Sequence, residues 1–153
     1  MNVAEICTRE VLVIRAEQPL LEAAQLMQRH GVGALVVIEE QGGSLRPVGM
    51  LTDRDVVCGQ FAHQADVRCL TVAEVMAAPA ATVAEGCSLE QAIEVLRARA
   101  VRRAPVVNGA GELVGIITLD DLLPALAGEL DALSQLIGSQ VWQARRGEPT
   151  LPR

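Results

Sequence analysis

The chain has 153 residues, half of them hydrophobic, with 13 basic against 19 acidic side chains and a formal net charge of −6. That acidity argues against a partner gripped by its phosphate backbone. With one Phe, one Trp and no Tyr, the chain also has no flat platforms on which single-stranded bases could stack. Every basic residue is Arg, which suits planar or phosphate partners and follows equally well from a codon bias.

The first element is a short apolar extended piece, Val11–Ile14. A helix follows, with Pro19 in its first turn and apolar residues at 20, 23, 24 and 27 on one 3.6-residue stripe. Two β-rich runs, Ala34–Ile38 and Val48–Thr52, flank the turn Gly42-Gly43-Ser44. Thr52 is then placed to cap a second helix whose first turn carries acids.

After a connector at 63–72 the same order returns. An extended piece, Ala81–Val83, leads to a helix with a Ser88/Gln91 capping box and apolar residues at 89, 92, 93 and 96. The strands Ala104–Val107 and Val114–Thr118 flank Asn108–Gly111, and Thr118 caps another helix, in which Pro124 predicts a kink. Apolar residues at 126, 130, 133, 137 and 141 then form a stripe without counterpart in the first half. It either folds back or meets another chain. The last residues, GEPTLPR, read as a frayed tail.

The chain lies on itself at an offset of 69, residues 4–38 on 73–107, and at 66 thereafter. Both copies carry the same signature after the hairpin: Val48-Gly49-Met50-Leu51-Thr52-Asp53-Arg54-Asp55 and Val114-Gly115-Ile116-Ile117-Thr118-Leu119-Asp120-Asp121. Each half is β-α-β-β-α and too small to bury a comfortable core alone. The expected fold is α/β (α+β): two pseudo-symmetric halves packed sheet to sheet, plus a C-terminal helix.

This paired signature resembles a tandem of CBS (cystathionine β-synthase) domains, a Bateman module of the stand-alone bacterial type. The resemblance spans about residues 4–127 and implies CBS repeats at 4–62 and 73–127, a connector at 63–72, a C-terminal helix at 128–146 and a tail at 147–153. It implies clefts between the repeats that bind adenosine derivatives (AMP, ADP, ATP or S-adenosylmethionine), none of them an obligatory cofactor. By resemblance Asp55 and Asp121 hold the ribose, and Thr52 and Thr118 the phosphate. The adenine side is assigned to Val13, Ile14 and Val32, Gly33, Ala34, Leu35 in the first copy, and to Thr82, Val83 and Val101, Arg102, Arg103, Ala104 in the second.

Elementary chemistry agrees with this. A carboxylate one turn past a strand end can accept both ribose hydroxyls, and a hydroxyl beside free helical N–H groups suits phosphate. Plain helix capping explains the same residues; two copies in one scaffold favour binding. Gly49 and Gly115 either admit a close backbone or relieve packing. Arg102 and Arg103 stand where the first copy has Gly33 and Ala34, so the second cleft is expected to prefer more phosphate, the first having chiefly Arg54. Arg97 and Arg99 read as a solvated helix end.

Other motifs are weak. Gly31-Val32-Gly33-Ala34 follows a helix and lacks the third glycine of a dinucleotide loop. Cys7, Cys58, Cys69 and Cys87 form no CxxC, so reduced thiols and no metal site are expected. His30 and His63 have no nucleophile at a recognisable spacing, and no enzyme is expected. No signal peptide and no apolar run of roughly 20 residues is visible, so the chain is read as cytoplasmic, without nucleic-acid or membrane partners. It is expected to form a homodimer and to signal to a target protein in trans. The rival reading is a structural dimerisation module with vestigial clefts.

Overall fold

A computed structural model describes residues 1–146, with side chains described as far as Gly138; the expected tail at 147–153 lies outside the described residues. Met1–Thr118 form one compact unit, and the segment from Leu119 forms a second.

In the first unit a short helical turn, α1 (Val3–Ile6), is capped by Asn2, whose side chain accepts from the Glu5 N–H. Then come β1 (Val13–Arg15), α2 (Leu20–His30), β2 (Ala34–Gln41), β3 (Ser44–Thr52) and α3 (Asp53–His63). The connector holds two short 3₁₀ turns, Val67–Cys69 and Val72–Glu74. The second repeat supplies β4 (Val83–Ala84), α4 (Leu89–Ala98), β5 (Arg103–Val107) and β6 (Leu113–Thr118).

Each repeat forms a three-stranded sheet with a parallel outer pair and an antiparallel hairpin, ordered β1-β2-β3 and β4-β5-β6. β2 explains why its sequence is a continuous apolar run. Leu35 and Val37 join Leu20, Ala23 and Met27 of α2 in one buried cluster. Val36 and Ile38 join Met50, with Leu113 and Ile116 of the other sheet packed against them. A strand covered on both faces cannot alternate apolar with polar. The sheets therefore meet face to face, as the repeat pattern predicts.

The helix ends follow local chemistry. Gly31 closes α2 in a left-handed conformation at φ 64°. Pro19 occupies the N-cap position of α2 rather than its first turn. Ser88 and Gln91 form the expected capping box on α4. The offset of 69 aligns Gly31 with Ala100, which takes φ 52° without being glycine.

The second unit begins as one helix, α5 (Leu119–Arg146). It passes through Pro124 and through position 127, the expected boundary between the second repeat and a separate C-terminal helix implied by the resemblance. Near a helix start proline removes one i→i−4 bond and is carried by the residues around it. On α5, Leu123, Leu130, Leu133, Leu136 and Ile137 are exposed by 57–69 %.

Candidate functional site

The segments preceding β1 and β4 do not stay with their own repeats. Thr8 exchanges two backbone hydrogen bonds with Ile116 of β6, and Ala77 does the same with Met50 of β3. A Cβ on Gly115 would lie 2.9 Å from the Thr8 carbonyl oxygen, and one on Gly49 would lie 2.9 Å from that of Ala77. The glycine of each signature thus admits a backbone of this chain, the segment leading into the opposite repeat.

This crossing creates two cavities with walls from both repeats. The larger, about 640 Å³, is lined from the first repeat by Thr8, Glu10, Val11, Leu12, His30, Val32 and Ala34, and from the second by Arg103, Ile116 and Thr118. The smaller, about 260 Å³, is lined by Ala77–Ala81, Arg99, Val101 and Arg103 with Met50 from the first repeat. The offsets of 69 and 66 map one set on the other: Glu10 on Pro79, His30 on Arg99, Val32 on Val101, Ala34 on Arg103, Ile116 on Met50. Val32 and Val101 are exposed by 36 % and 37 % respectively, so the same strand end is offered twice.

The pairing runs across the repeats. Thr118 shares its cavity with Val32 and Ala34, not with Val101 of its own repeat. In the smaller cavity Met50 occupies the corresponding wall, and Thr52 is not among the lining residues. Thr52 and Asp55 form a reciprocal capping box: the Thr52 hydroxyl accepts from the Asp55 N–H at 3.1 Å, and Asp55 Oδ2 accepts from the Thr52 N–H at 2.8 Å. The capping alternative thus has a concrete geometry in this copy, and Asp55 Oδ1 stays without a hydrogen-bond partner among the described residues. Arg54 is exposed. Asp121 is part-buried in the first turn of α5.

Several residues assigned from sequence lie elsewhere. Ile14, Leu35, Val83 and Ala104 are core residues, between 0 % and 3 % exposed; Ile14 and Leu35 pack against α2, and Ile14 also reaches the floor of the depression beside that helix. Gly33 sits against Asp53, whose N–H bonds to the Gly33 carbonyl at 3.0 Å. Val13 lines a shallow depression beside α2, and Thr82 one beside α4. Of the adjacent arginines, Arg103 reaches both cavities, while Arg102 is exposed and lines neither.

Sequence reasoning missed Thr8, Glu10, Leu12, His30 and Arg99. The offset could have found them as a set, since each lies at the position equivalent to another wall residue. Chemically the walls are aliphatic and suit the faces of a planar base. Hydroxyl and guanidinium donors converge at the β6 end. Among the described residues no cluster of three His, Cys, Asp or Glu side chains gathers as a metal site, and no helix is long and apolar enough to cross a membrane.

The CBS domain profile matches this chain twice, over residues 3–58 and 72–128. The CBS domain-containing protein YhcV of Bacillus subtilis is 37% identical over 121 residues, 79% of this chain and 82% of that protein. An uncharacterised Methanopyrus kandleri protein, MK0525, is 28% identical over 123 residues, 80% of this chain but 61% of that longer protein. Among solved structures, Hypoxic Response Protein I with two coordinated zinc ions is 31% identical, with a TM-score of 0.69 over 80% of this chain and 96% of its own. A hexameric CBS-CP12 protein from bloom-forming cyanobacteria is 30% identical, with a TM-score of 0.69 over 80% of this chain and 69% of its own. CBSX2 in complex with AMP, 24% identical, shares the fold at a TM-score of 0.68 over 83% of this chain and 96% of its own.

Proposed function

The chain belongs to the CBS domain family, and we infer that it is a regulatory module that binds adenosine derivatives in the two cavities between its repeats and passes their occupancy to a partner in trans. The observation that carries this reading is the duplication of the cavity itself. Two sets of wall residues, related by the internal repeat, offer aliphatic surface beside guanidinium donors, joined in the larger cavity by the hydroxyls of Thr8 and Thr118. An adenine fits between aliphatic walls such as Val11 and Val32, and a phosphate fits the Thr118–Arg103 end of the larger cavity. Asp55, with its unpartnered Oδ1, and Asp121 remain proposed ribose acceptors by family resemblance alone, since neither is among the residues that line the two cavities. No residue is assigned a catalytic role, and the fold is read as a sensor rather than an enzyme.

Self-association is part of the proposal. The exposed apolar residues of α5 form a surface that a second copy can cover. The hexameric CBS-CP12 relative makes assembly of such modules a reasonable arrangement for this chain. A homodimer is the smallest one.

The test is a thermal-shift panel of AMP, ADP, ATP and S-adenosylmethionine. A ligand bound by the folded state alone stabilises it by about 2.7 kcal/mol at a hundredfold excess over Kd. A shift of several degrees with at least one of the four is expected. No shift with any of the four overturns the reading in favour of an interaction module with vestigial clefts.

A further inference from the structure

We propose that Arg103 couples the two cavities, so that an anionic ligand seated in one weakens the binding of a second anion in the other. Among the described residues Arg103 is the one that lines both, and its repeat-equivalent, Ala34, carries no charge and lines the larger cavity alone. The pseudo-symmetry is therefore broken where a duplicated cation would otherwise give each cavity its own. Arg103 is half-buried and makes no ion pair or side-chain hydrogen bond among the described residues, so nothing on the protein holds it to one side. A guanidinium presents its planar fork to one phosphate at a time for a bidentate bond. The first anion takes that fork, and the second meets a cavity deprived of it. The loss weighs more on the larger cavity, whose remaining ionisable wall residues are Glu10 and His30; the smaller retains Arg99.

This inference rests on the reading of the cavities as adenosine-derivative sites, and the experiment separates the two. AMP and adenosine are titrated calorimetrically at about 0.15 M salt, where the Debye length is about 8 Å, into the wild type, Arg103→Ala and Arg103→Lys. Each is also measured with one cavity filled, by Val32→Trp for the larger or Val101→Trp for the smaller. The coupling factor is the product of the two stepwise association constants divided by the product of the two single-cavity constants. For AMP the wild type is expected to fall below unity by about fivefold or more, within the usual range for coupled sites. Adenosine, without phosphate, is expected to give a factor near one. Arg103→Ala should weaken AMP binding and bring the AMP coupling factor to the adenosine value, and Arg103→Lys should recover part of the coupling. An AMP factor that persists in Arg103→Ala assigns the antagonism to repulsion between ligands and overturns the proposal. So does an AMP factor near one in the wild type, or an equal loss of adenosine affinity on substitution. Failure of both AMP and adenosine to bind overturns the site reading and this proposal together.

Discussion

Thr8 and Ile116 are joined by two backbone hydrogen bonds, Thr8 N–H to the Ile116 carbonyl at 3.0 Å and the reverse at 2.9 Å, although they are 108 residues apart. This crossing places Glu10 to Leu12 opposite the β6 strand, and so shapes the larger cavity. Its tightness leaves no room at Gly115, where a Cβ would also lie 3.0 Å from Cys7 Sγ. Gly115→Ala is therefore expected to cost about 1–3 kcal/mol, as overpacking of a close contact does. Gly49→Ala should cost a similar amount against Ala77. Urea unfolding of both variants measures it, and an unchanged midpoint would contradict the packing role.

Ala100 marks the opposite case. It takes φ 52°, while Gly31 at the equivalent position takes 64°, so a left-handed turn is required after both α2 and α4. An alanine there is strained by its Cβ, by roughly 1 kcal/mol. Ala100→Gly is expected to raise stability by up to about 0.6 kcal/mol, the relief of strain exceeding the added freedom of the unfolded chain. A lower midpoint in the variant would show that something other than the turn fixes this conformation.

The fold was legible because repetition constrains it twice. The β2 run Leu35–Ile38 reads as a buried strand, and the Ser88/Gln91 box marks the start of α4. The signature glycines were ambiguous, since a ligand and a crossing segment both require space at Gly49 and Gly115. The cross-repeat pairing was not legible: nothing in local sequence says that Thr8 bonds to β6 rather than within its own half. The assignment of Leu35, buried beside the cavity residue Ala34, shows the same difficulty on a smaller scale. A strand turns alternate residues to opposite faces, so misplacing the wall by one or two positions exchanges a cavity residue for a core one. Arg102 and Arg103 differ for that reason. Arg99 was assigned to solvent because a helix end explains it locally, and its neighbour Pro79 lies 20 residues earlier in the chain.

The two hairpin tips are tied by Ser44, whose hydroxyl donates to Glu112 Oε1; the Asn108 amide donates to Oε2 at 2.7 Å. These bonds, Ser44 first and then Asn108, with the charge of Arg46 adding to them, hold the Glu112 carboxyl below the usual range. A lowered folded pKa gives stabilisation that is present above the unfolded value and lost as pH falls through the folded one. The link should therefore hold at neutral pH and be lost only on acidification below the ordinary glutamate pKa of about 4.3. Ser44→Ala is expected to move the Glu112 titration back up towards that value, read from its side-chain carbon shift by NMR. An identical titration in the variant would remove Ser44 as the main cause.

Leu130, Leu133 and Ile137 follow each other on α5 at three- and four-residue spacing and are exposed by 69 %, 57 % and 65 %. If a second copy covers them, Leu133→Asp removes an apolar side chain from that surface and replaces it with a charge. The loss should be at least about 1.5–3 kcal/mol per chain, the value of burying a leucine. Sedimentation over a concentration series is expected to show weaker association in the variant and an unchanged folded state by circular dichroism. Equal association would place the contact on another face, such as the exposed Val57 and Phe61 of α3.

The two cavities should also sort ligands by charge. At equivalent wall positions the larger carries Glu10 and His30, and the smaller carries Pro79 and Arg99, with Arg103 common to both. A carboxylate opposes a phosphate and attracts a cation, so the larger cavity is expected to favour the sulfonium and ammonium of S-adenosylmethionine, and the smaller to favour AMP, ADP or ATP. Glu10 is exposed, which keeps the effect within the modest range of solvent-screened pairs, about 0.2–1 kcal/mol. Glu10→Gln should therefore weaken S-adenosylmethionine and strengthen AMP, each by a few-fold or less, in a chain whose smaller cavity is filled by Val101→Trp. Arg99→Ala should weaken ATP more than AMP in the complementary Val32→Trp chain, because each added phosphate gains from the lost cation. Competition calorimetry with the two ligand types reads both effects. Movement of S-adenosylmethionine and AMP in the same direction on Glu10→Gln would show that the carboxylate shapes the wall without selecting by charge.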